Sequence, residues 1–219
     1  MPDDSPALVK ICGTTSVADG LLAQDEGANY IGLILEHPPS PRSVELPVAQ
    51  SIRSAISRPL VAVTVNLSVP RLMEIWNGLR PAALQLHGDE SASTVRELKE
   101  RGATVWKVLD GESERVLCQA SAMAAAGADA LLIDARARAD GETIYGGTGS
   151  LADWSTARAL VEQGYRVILA GGLHPENVAE AIASVRPWMV DVVSGVESSK
   201  GVKDPAKLQA FIAATRNRQ

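Results

Sequence analysis

The sequence is poor in cysteine and lacks both long apolar runs and blocks of one charge. With only Cys12 and Cys118 among 219 residues, a disulfide framework is not expected. No apolar stretch is long enough to span a bilayer. The formal net charge is −5, and no basic cluster suggests a face for nucleic acid or an acidic membrane. A small anionic ligand fits this composition, because backbone amides hold phosphate without a net positive charge.

Metal-binding patterns are also lacking. The three histidines, His37, His87 and His174, are scattered, and neither cysteine lies in a cluster with metal-ligand spacing. We therefore expect no metal and no other cofactor. The acidic start has no basic flank and apolar segment of the kind found in a secretory leader. These features predict a cytoplasmic enzyme or binding domain with a short flexible N-terminus over residues 1–7.

Eight apolar, β-branched runs alternate with helical patterns along the chain. Several are apolar at consecutive positions, which is typical of parallel strands covered on both faces. The runs are Leu8–Cys12, Tyr30–Leu35, Leu60–Val65, Ala82–Leu86, Thr104–Leu109, Asp129–Asp134, Arg166–Ala170 and Met189–Val193. Eight strand–helix units without a linker predict a single α/β domain over residues 1–219, a closed (β/α)8 TIM barrel. An open doubly wound sheet is the alternative, but no G-x-G-x-x-G follows the first strand.

Helix boundaries are marked by capping residues. Ser16 and Ser91 are expected to cap helices that end at Gly27 and Gly102. Pro175 and Pro205 are expected at the first positions of two later helices, where the missing N–H of proline costs nothing. The last helix should bury Leu208, Phe211 and Ile212.

Polar and glycine residues gather where the predicted strands end, which is the face that carries catalysis in TIM barrels. They are Cys12, Arg42, Asn66, Gln85, His87, Gly88, Lys107, Asp134, Gly171, Gly172, Ser194 and Gly195. Each residue alone is only weak evidence for an active site. Their common position predicts an active site at this face.

Two of these residues have the chemistry of a proton-transfer pair. Cys12 is followed by a polar turn, and near a helix N-terminus the pKa of a thiol falls, which would give a thiolate base. Cys118 lies among alanines in a helix and is interpreted as structural. Asp134 emerges from an apolar strand, where partial desolvation favours the protonated carboxyl that a general acid needs. A helix cap is the alternative role for Asp134.

The glycine-rich turns after the seventh and eighth strands indicate a phosphate site. Gly171-Gly172 and Ser194-Gly195 occupy the two loops that frequently bind phosphate in barrels. Arg42 lies among three prolines that stiffen its loop, which suits bidentate recognition of a carboxylate. The glycines at 146–149 follow no strand directly and lack dinucleotide-loop spacing, so we do not interpret them as a nucleotide site.

Taken together, these stretches resemble the phosphoribosylanthranilate isomerases of tryptophan biosynthesis. The matching segments are Val9–Thr15, Pro38–Arg42, Val65-Asn66, Gln85–Gly88, Leu131–Asp134, Tyr145–Gly149, Asp153-Trp154, Leu169–Leu173, Pro175–Val178 and Ser194–Glu197. They occur in the family's order and cover nearly the whole chain.

The resemblance implies an Amadori rearrangement of N-(5-phosphoribosyl)anthranilate to 1-(2-carboxyphenylamino)-1-deoxyribulose 5-phosphate. Asp134 would be the general acid that opens the furanose ring, and Cys12 the general base that removes a proton from the neighbouring sugar carbon. Arg42 would hold the anthranilate carboxylate. The remaining substrate-binding residues are Gln85, His87, Gly171, Gly172, Asp191, Ser194 and Gly195. The partner is a phosphorylated aminosugar, and the chain is expected to be a monomer or a homodimer.

Departures from the family pattern keep alternatives open. The second strand carries Gly32–Leu35 without the usual phenylalanine, and Glu36-His37 replaces an aromatic residue. A paralogous phosphate-binding barrel with altered substrate preference, or without turnover, is therefore the alternative. Another phosphosugar barrel is a further one. A ketose-phosphate epimerase would need metal ligands. An indole-glycerol-phosphate synthase would need catalytic lysines and glutamates on several strands, and Lys107 is the only lysine placed in such a position.

Overall fold

The computed structural model describes residues 6–134 and 153–216, together with the backbone of two short paired strands, Ala137–Ala139 and Glu142–Ile144. The family-like segment at 145–149 and residues 1–5 of the predicted flexible N-terminus lie outside the described residues. The described helices include none that is long and apolar enough to cross a membrane.

Eight parallel strands close into a barrel in the described part of the chain. They are β1 (Leu8–Ile11), β2 (Tyr30–Leu35), β3 (Leu60–Thr64), β4 (Ala83–Leu86), β5 (Val105–Leu109), β6 (Ala130–Ile133), β7 (Val167–Leu169) and β8 (Met189–Val192). Each pairs with its neighbours in sequence order, and β1 closes the ring by pairing with both β8 and β2. The predicted TIM barrel is confirmed, with strand ends within two residues of those expected.

A helix follows each of these strands. The helices are α1 (Val17–Glu26), α2 (Leu46–Ala55), α3 (Val69–Leu79), α4 (Ala92–Glu100), α5 (Ser113–Ala125), α6 (Trp154–Glu162), α7 (Val178–Val185) and α8 (Pro205–Arg216). The Ser16 and Ser91 side chains accept hydrogen bonds from backbone N–H groups in the first turns of α1 and α4, as predicted. Pro205 begins α8, whose Leu208, Phe211 and Ile212 are buried.

The prediction for Pro175 is wrong. Helix α7 begins three residues later, at Val178, after a turn over residues 175–177. The Asn177 side chain holds this turn, because it accepts a hydrogen bond from the His174 N–H at 2.8 Å and donates one to the Gly172 carbonyl at 2.9 Å. The residues before α7 therefore stabilise the Gly171-Gly172 loop instead of extending the helix.

Alternate residues of the strands supply two separate apolar cores. One set packs against the helices and includes Val9 and Ile11 of β1. The other fills the inside of the barrel and includes Cys12, Leu132 and Met189. Because successive strand residues point to opposite faces, Lys10 shares the inward face with Cys12.

Three aromatic rings close the barrel interior at the amino ends of the strands. Tyr30, Trp106 and Trp188 contact one another edge to face, with ring centroids 5.4 to 6.3 Å apart. The Arg166 guanidinium lies 4.9 Å from the centre of the Trp188 ring. With this end filled, the space inside the barrel opens at the carboxyl ends of the strands.

Candidate active site

A cavity of about 700 Å³ lies at the carboxyl ends of the strands and brings most of the predicted site residues together. Its lining includes Cys12, Arg42, Gln85, His87, Asp134, Gly171, Gly172, Asp191 and Ser194, and also Ile34, His37 and Lys200. Four residues predicted at this face are not among those that line the cavity: Asn66, Gly88, Lys107 and Gly195. Gly195 lies in a short 3-10 helix over Ser194–Val196.

Asp134, at the end of β6, is partly buried beside two polar side chains of the β4 end. Its Oδ2 lies 3.3 Å from His87 Nε2, and the Asp134 side chain is only 7% exposed. His87 Nδ1 in turn lies 3.4 Å from Gln85 Nε2. The Gln85 Oε1 is buried and accepts no hydrogen bond from the described residues, so a ligand hydroxyl in the cavity can supply one.

Cys12 ends β1 inside the barrel, next to a buried ion pair. The thiol is 3% exposed, and Lys10, two residues earlier, is completely buried. Lys10 Nζ donates to Asp191 Oδ2 on the adjacent strand β8 at 2.8 Å. Asp191 Oδ1 faces no hydrogen-bond donor among the described residues.

The expectation of a lowered thiol pKa is wrong. Burial raises the pKa of Cys12, with an opposing contribution from the nearby Lys10 ammonium. Helix α1 begins only at Val17, so Cys12 is not at a helix N-terminus. Burial thus favours the neutral thiol, and Lys10 is the neighbouring cation that most opposes this effect.

Sequence reasoning missed Lys10, although the signal was present. A residue two positions before Cys12 in a strand must share its face, so a catalytic Cys12 places Lys10 inside the barrel. Lys107 is the one lysine singled out from the sequence. Its neighbours on β5, Trp106 and Val108, face the barrel interior, so the Lys107 side chain lies on the opposite face of the strand. Lys107 was expected to be the only lysine placed on a strand at the site. That expectation is wrong, because Lys10 lies on β1 next to Cys12 in the barrel interior.

Lys107 and Asn66 have structural roles at the carboxyl ends of the strands. Lys107 Nζ donates to the Gly88 carbonyl at 2.7 Å and to Glu90 at 3.0 Å. The Asn66 side-chain oxygen accepts a hydrogen bond from the Asp89 N–H at 2.7 Å. The backbone N–H of Asn66 donates to the Glu90 carboxylate at 2.8 Å. These contacts fix the loop after β4, which carries His87.

Arg42 is held by an acidic partner that the sequence did not reveal. Its Nε and Nη2 donate to the Glu197 carboxylate at 2.8 and 2.7 Å, and the residue is 7% exposed. Lys203 Nζ lies 3.3 Å from the same carboxylate and donates to the Cys12 carbonyl at 2.6 Å. Burial tends to raise the pKa of Glu197, but the hydrogen bonds from Arg42 and the charge of Lys203 outweigh it and lower that pKa. Glu197 thus occupies one edge of the guanidinium, and no side chain or backbone group among the described residues accepts a hydrogen bond from Nη1.

Glu197 and Lys203 lie on a short antiparallel hairpin inserted between β8 and α8. Its strands are Glu197–Ser199 and Val202–Lys203. The hairpin turn is fixed by a hydrogen bond from Thr15 Oγ1 to the Gly201 carbonyl at 2.7 Å. This insertion links the loop of Arg42 to the end of β1, two segments that are distant in sequence.

The two glycine loops have the backbone expected of an anion site. Gly171 and Gly172 both have positive φ, at 83° and 64°, which only glycine adopts readily. A Cβ at Gly195 would lie 2.0 Å from the Leu173 carbonyl oxygen. Glycine at 195 therefore lets the loops after β7 and β8 pack directly together at the cavity.

The chain resembles known proteins over almost its whole length. Residues 9–214 match the family described as N-(5′-phosphoribosyl)anthranilate (PRA) isomerase. A Pseudomonas fluorescens protein named N-(5′-phosphoribosyl)anthranilate isomerase is 42% identical over 211 residues, which cover 94% of each chain.

Solved structures resemble the fold as well. A phosphoribosyl anthranilate isomerase in complex with reduced 1-(o-carboxyphenylamino)-1-deoxyribulose 5-phosphate has a TM-score of 0.80 and 30% identity, and 96% of this chain and 98% of that one are covered. A monomer generated from the dimeric Thermotoga maritima isomerase has a TM-score of 0.81 and 31% identity, with the same coverage.

Proposed function

The chain belongs to the family of N-(5′-phosphoribosyl)anthranilate isomerases, and on that premise we propose how its own residues carry out the reaction. It is an isomerase of tryptophan biosynthesis. The reaction is an Amadori rearrangement that converts N-(5′-phosphoribosyl)anthranilate to 1-(2-carboxyphenylamino)-1-deoxyribulose 5-phosphate. The observation that carries the assignment of roles is the single cavity lined by both Cys12 and Asp134.

Asp134 is the general acid. Its proton goes to the furanose ring oxygen, the bond from that oxygen to the anomeric carbon breaks, and the nitrogen lone pair forms a protonated Schiff base. The Asp134 side chain lies in the cavity with most of its surface shielded from water, which favours transfer to the substrate. His87, 3.3 Å away, orients the carboxyl.

Cys12 is the general base. Its thiolate takes the proton from the sugar carbon next to the Schiff base. The electrons of that C–H bond form a carbon–carbon double bond, and the electrons of the C=N double bond return to the nitrogen to give an enolamine. The enolamine then tautomerises to the ketone, so the reaction needs no oxidant or reductant. Cys12 and Asp134 directly follow β1 and β6, three strands apart around the ring, which supports a base and an acid that act from different sides of a bound ligand.

Arg42 binds the anthranilate carboxylate. The Nε–Nη2 edge is occupied by Glu197, which leaves the donors of Nη1 and the second hydrogen of Nη2 for the substrate. Glu197 thereby fixes the guanidinium in one orientation before the substrate arrives, which reduces the entropy lost on binding.

The phosphate binds at the loops after β7 and β8. Gly171, Gly172 and Ser194 line the cavity, and their backbone can approach an anion closely. Gly195 acts indirectly, since its missing side chain lets the Leu173 carbonyl come close. The buried acceptors Gln85 Oε1 and Asp191 Oδ1 are suited to the sugar hydroxyls between the two anionic ends.

We also propose a cellular location and an oligomeric state for the chain. A cytoplasmic enzyme is consistent with two unpaired cysteines, one buried and one exposed. The exposed Cys118 on α5 would be open to oxidation outside a reducing compartment. A monomer or a homodimer is expected, and light scattering of the purified chain distinguishes the two.

The test of the function is the loss of fluorescence of freshly prepared phosphoribosylanthranilate on addition of the purified chain. Asp134→Asn should reduce kcat by about 100- to 10,000-fold, because proton transfer by a positioned group contributes that much. Asp110→Asn is the matched control, since Asp110 also directly follows a strand but is not among the described residues that line the cavity. Full activity of Asp134→Asn would place the acid elsewhere.

A further inference from the structure

Lys10 is a completely buried cation that the reaction steps above do not use. It is 0% exposed, although burying an ammonium is costly unless the charge is compensated. Asp191 provides that compensation at 2.8 Å. A pair of apolar residues would fill the same space at less cost, so the ion pair calls for a functional explanation.

The side chain of Lys10 lies near the sulfur of Cys12. Both point into the barrel from β1, and a Cβ at Gly32 on β2 would lie 2.6 Å from Cys12 Sγ and 2.9 Å from Lys10 Cε. The missing side chain of Gly32 thus provides the space in which the two groups meet. The ammonium donates to the Asp191 carboxylate, and its charge lowers the pKa of the nearby thiol against the effect of burial.

We propose that Lys10 is a positioning residue that stabilises the thiolate form of Cys12 by its charge, and that Asp191 fixes the ammonium for this purpose. The inference rests on the proposed role of Cys12 as base. In a site shielded from water, a nearby cation stabilises a thiolate far more than it would in solvent. The family assignment alone does not supply such a role for Lys10.

The other charges around Cys12 do not replace Lys10. Asp191 opposes formation of a thiolate, since it is also negative. Lys203 favours the thiolate, but its ammonium is directed to the Cys12 carbonyl and to Glu197. His87 and Asp134 face the Asp191 side of the cavity. Burial tends to lower the pKa of Lys10, but Asp191 and Cys12 outweigh it and raise that pKa, so Lys10 keeps its charge.

The test measures the ionisation of Cys12 directly. In a Cys118→Ser background, Cys12 is the one remaining cysteine, and its alkylation by iodoacetamide is followed by mass spectrometry as a function of pH. Lys10→Met should move the alkylation midpoint to higher pH by about one unit or more, which means roughly tenfold slower alkylation at a fixed pH below the midpoint. An unchanged midpoint would overturn the proposal.

Lys107→Met is the matched control, because Lys107 is also buried and paired with a carboxylate, Glu90, but does not contact Cys12. It should leave the midpoint of Cys12 unchanged, and an equal shift in this variant would mean that Lys10 acts only through general loosening of the barrel. If Lys10→Met does not fold, the double variant Lys10→Met/Asp191→Asn leaves no unpaired charge. A smaller alkaline shift is then expected, because loss of the Asp191 charge partly offsets loss of the Lys10 charge.

The alkylation experiment separates this inference from the proposed function. A Cys12→Ser variant with full activity would reject the base assignment, whereas the effect of Lys10 on the thiol would still be measured. If both hold, Lys10→Met should lower kcat about as much as it slows alkylation, and the inhibition constant of inorganic phosphate should not change.

Discussion

Replacing Gly195 with alanine should weaken phosphate binding by forcing two loops apart. The added Cβ would lie 2.0 Å from the Leu173 carbonyl oxygen and 3.0 Å from His174 Cα. Both are backbone atoms, so a shift of more than 1 Å is needed, and overpacking of this kind costs about 1–3 kcal/mol of stability. The loops after β7 and β8 would then hold the phosphate in altered geometry. Loss of one charge-assisted hydrogen bond costs about 1.5–3 kcal/mol, or roughly ten- to hundredfold in affinity.

The assay combines unfolding in urea with steady-state kinetics and inhibition by inorganic phosphate. We expect KM and the phosphate inhibition constant to rise together, with a smaller change in kcat. Gly78→Ala is the control, since Gly78 lies in α3 with nothing within 4 Å of an added Cβ. It should stabilise the protein by up to about 1 kcal/mol and leave the kinetics unchanged. A folded Gly195→Ala enzyme with normal phosphate affinity would refute this account of the loops.

Two further predictions concern the Arg42–Glu197 pair. Arg42→Ala should raise KM roughly ten- to hundredfold with little change in kcat. It should also destabilise the fold by up to about 3–5 kcal/mol, because Glu197 loses a buried partner. A collapse of kcat with KM intact would contradict the carboxylate-binding role. Because the pKa of Glu197 is lowered in the folded protein, its contribution to stability is full above its unfolded pKa and is lost as the pH falls through the folded value. Unfolding measured in urea between about pH 3 and 6 should therefore depend less on pH in Glu197→Gln than in the parent, and identical pH dependence would count against the pair.

The fold was predictable because its signals are local and repeated. The apolar run Tyr30–Leu35 coincides with β2, and Ser16 and Gly27 mark both ends of α1. The exception is Pro175, where a side chain that bonds the glycine loop displaced the start of α7. Such a contact depends on tertiary structure, which a capping pattern does not report.

The site was predictable in its composition but not in its electrostatics. Most of the residues predicted at strand ends meet in one cavity, because the barrel brings all carboxyl ends together. The ion pair between Arg42 and Glu197 joins residues that are far apart in sequence, because Glu197 lies on an inserted hairpin. No local sequence pattern indicates this pair. The pKa of Cys12 was misjudged for the same reason, since burial is a property of the closed barrel.

The central claim is that Cys12 and Asp134 transfer the protons of the isomerisation, and Cys12→Ser tests it most directly. Serine nearly preserves the volume but replaces the thiol with a much weaker acid, which cannot serve as a base unaided. With Cys118→Ser as the matched control, we predict that kcat falls by about 100- to 10,000-fold only in Cys12→Ser, while the phosphate inhibition constant stays unchanged. A Cys12→Ser enzyme with the kcat of the control would show that the thiol only fills space, and would contradict the mechanism.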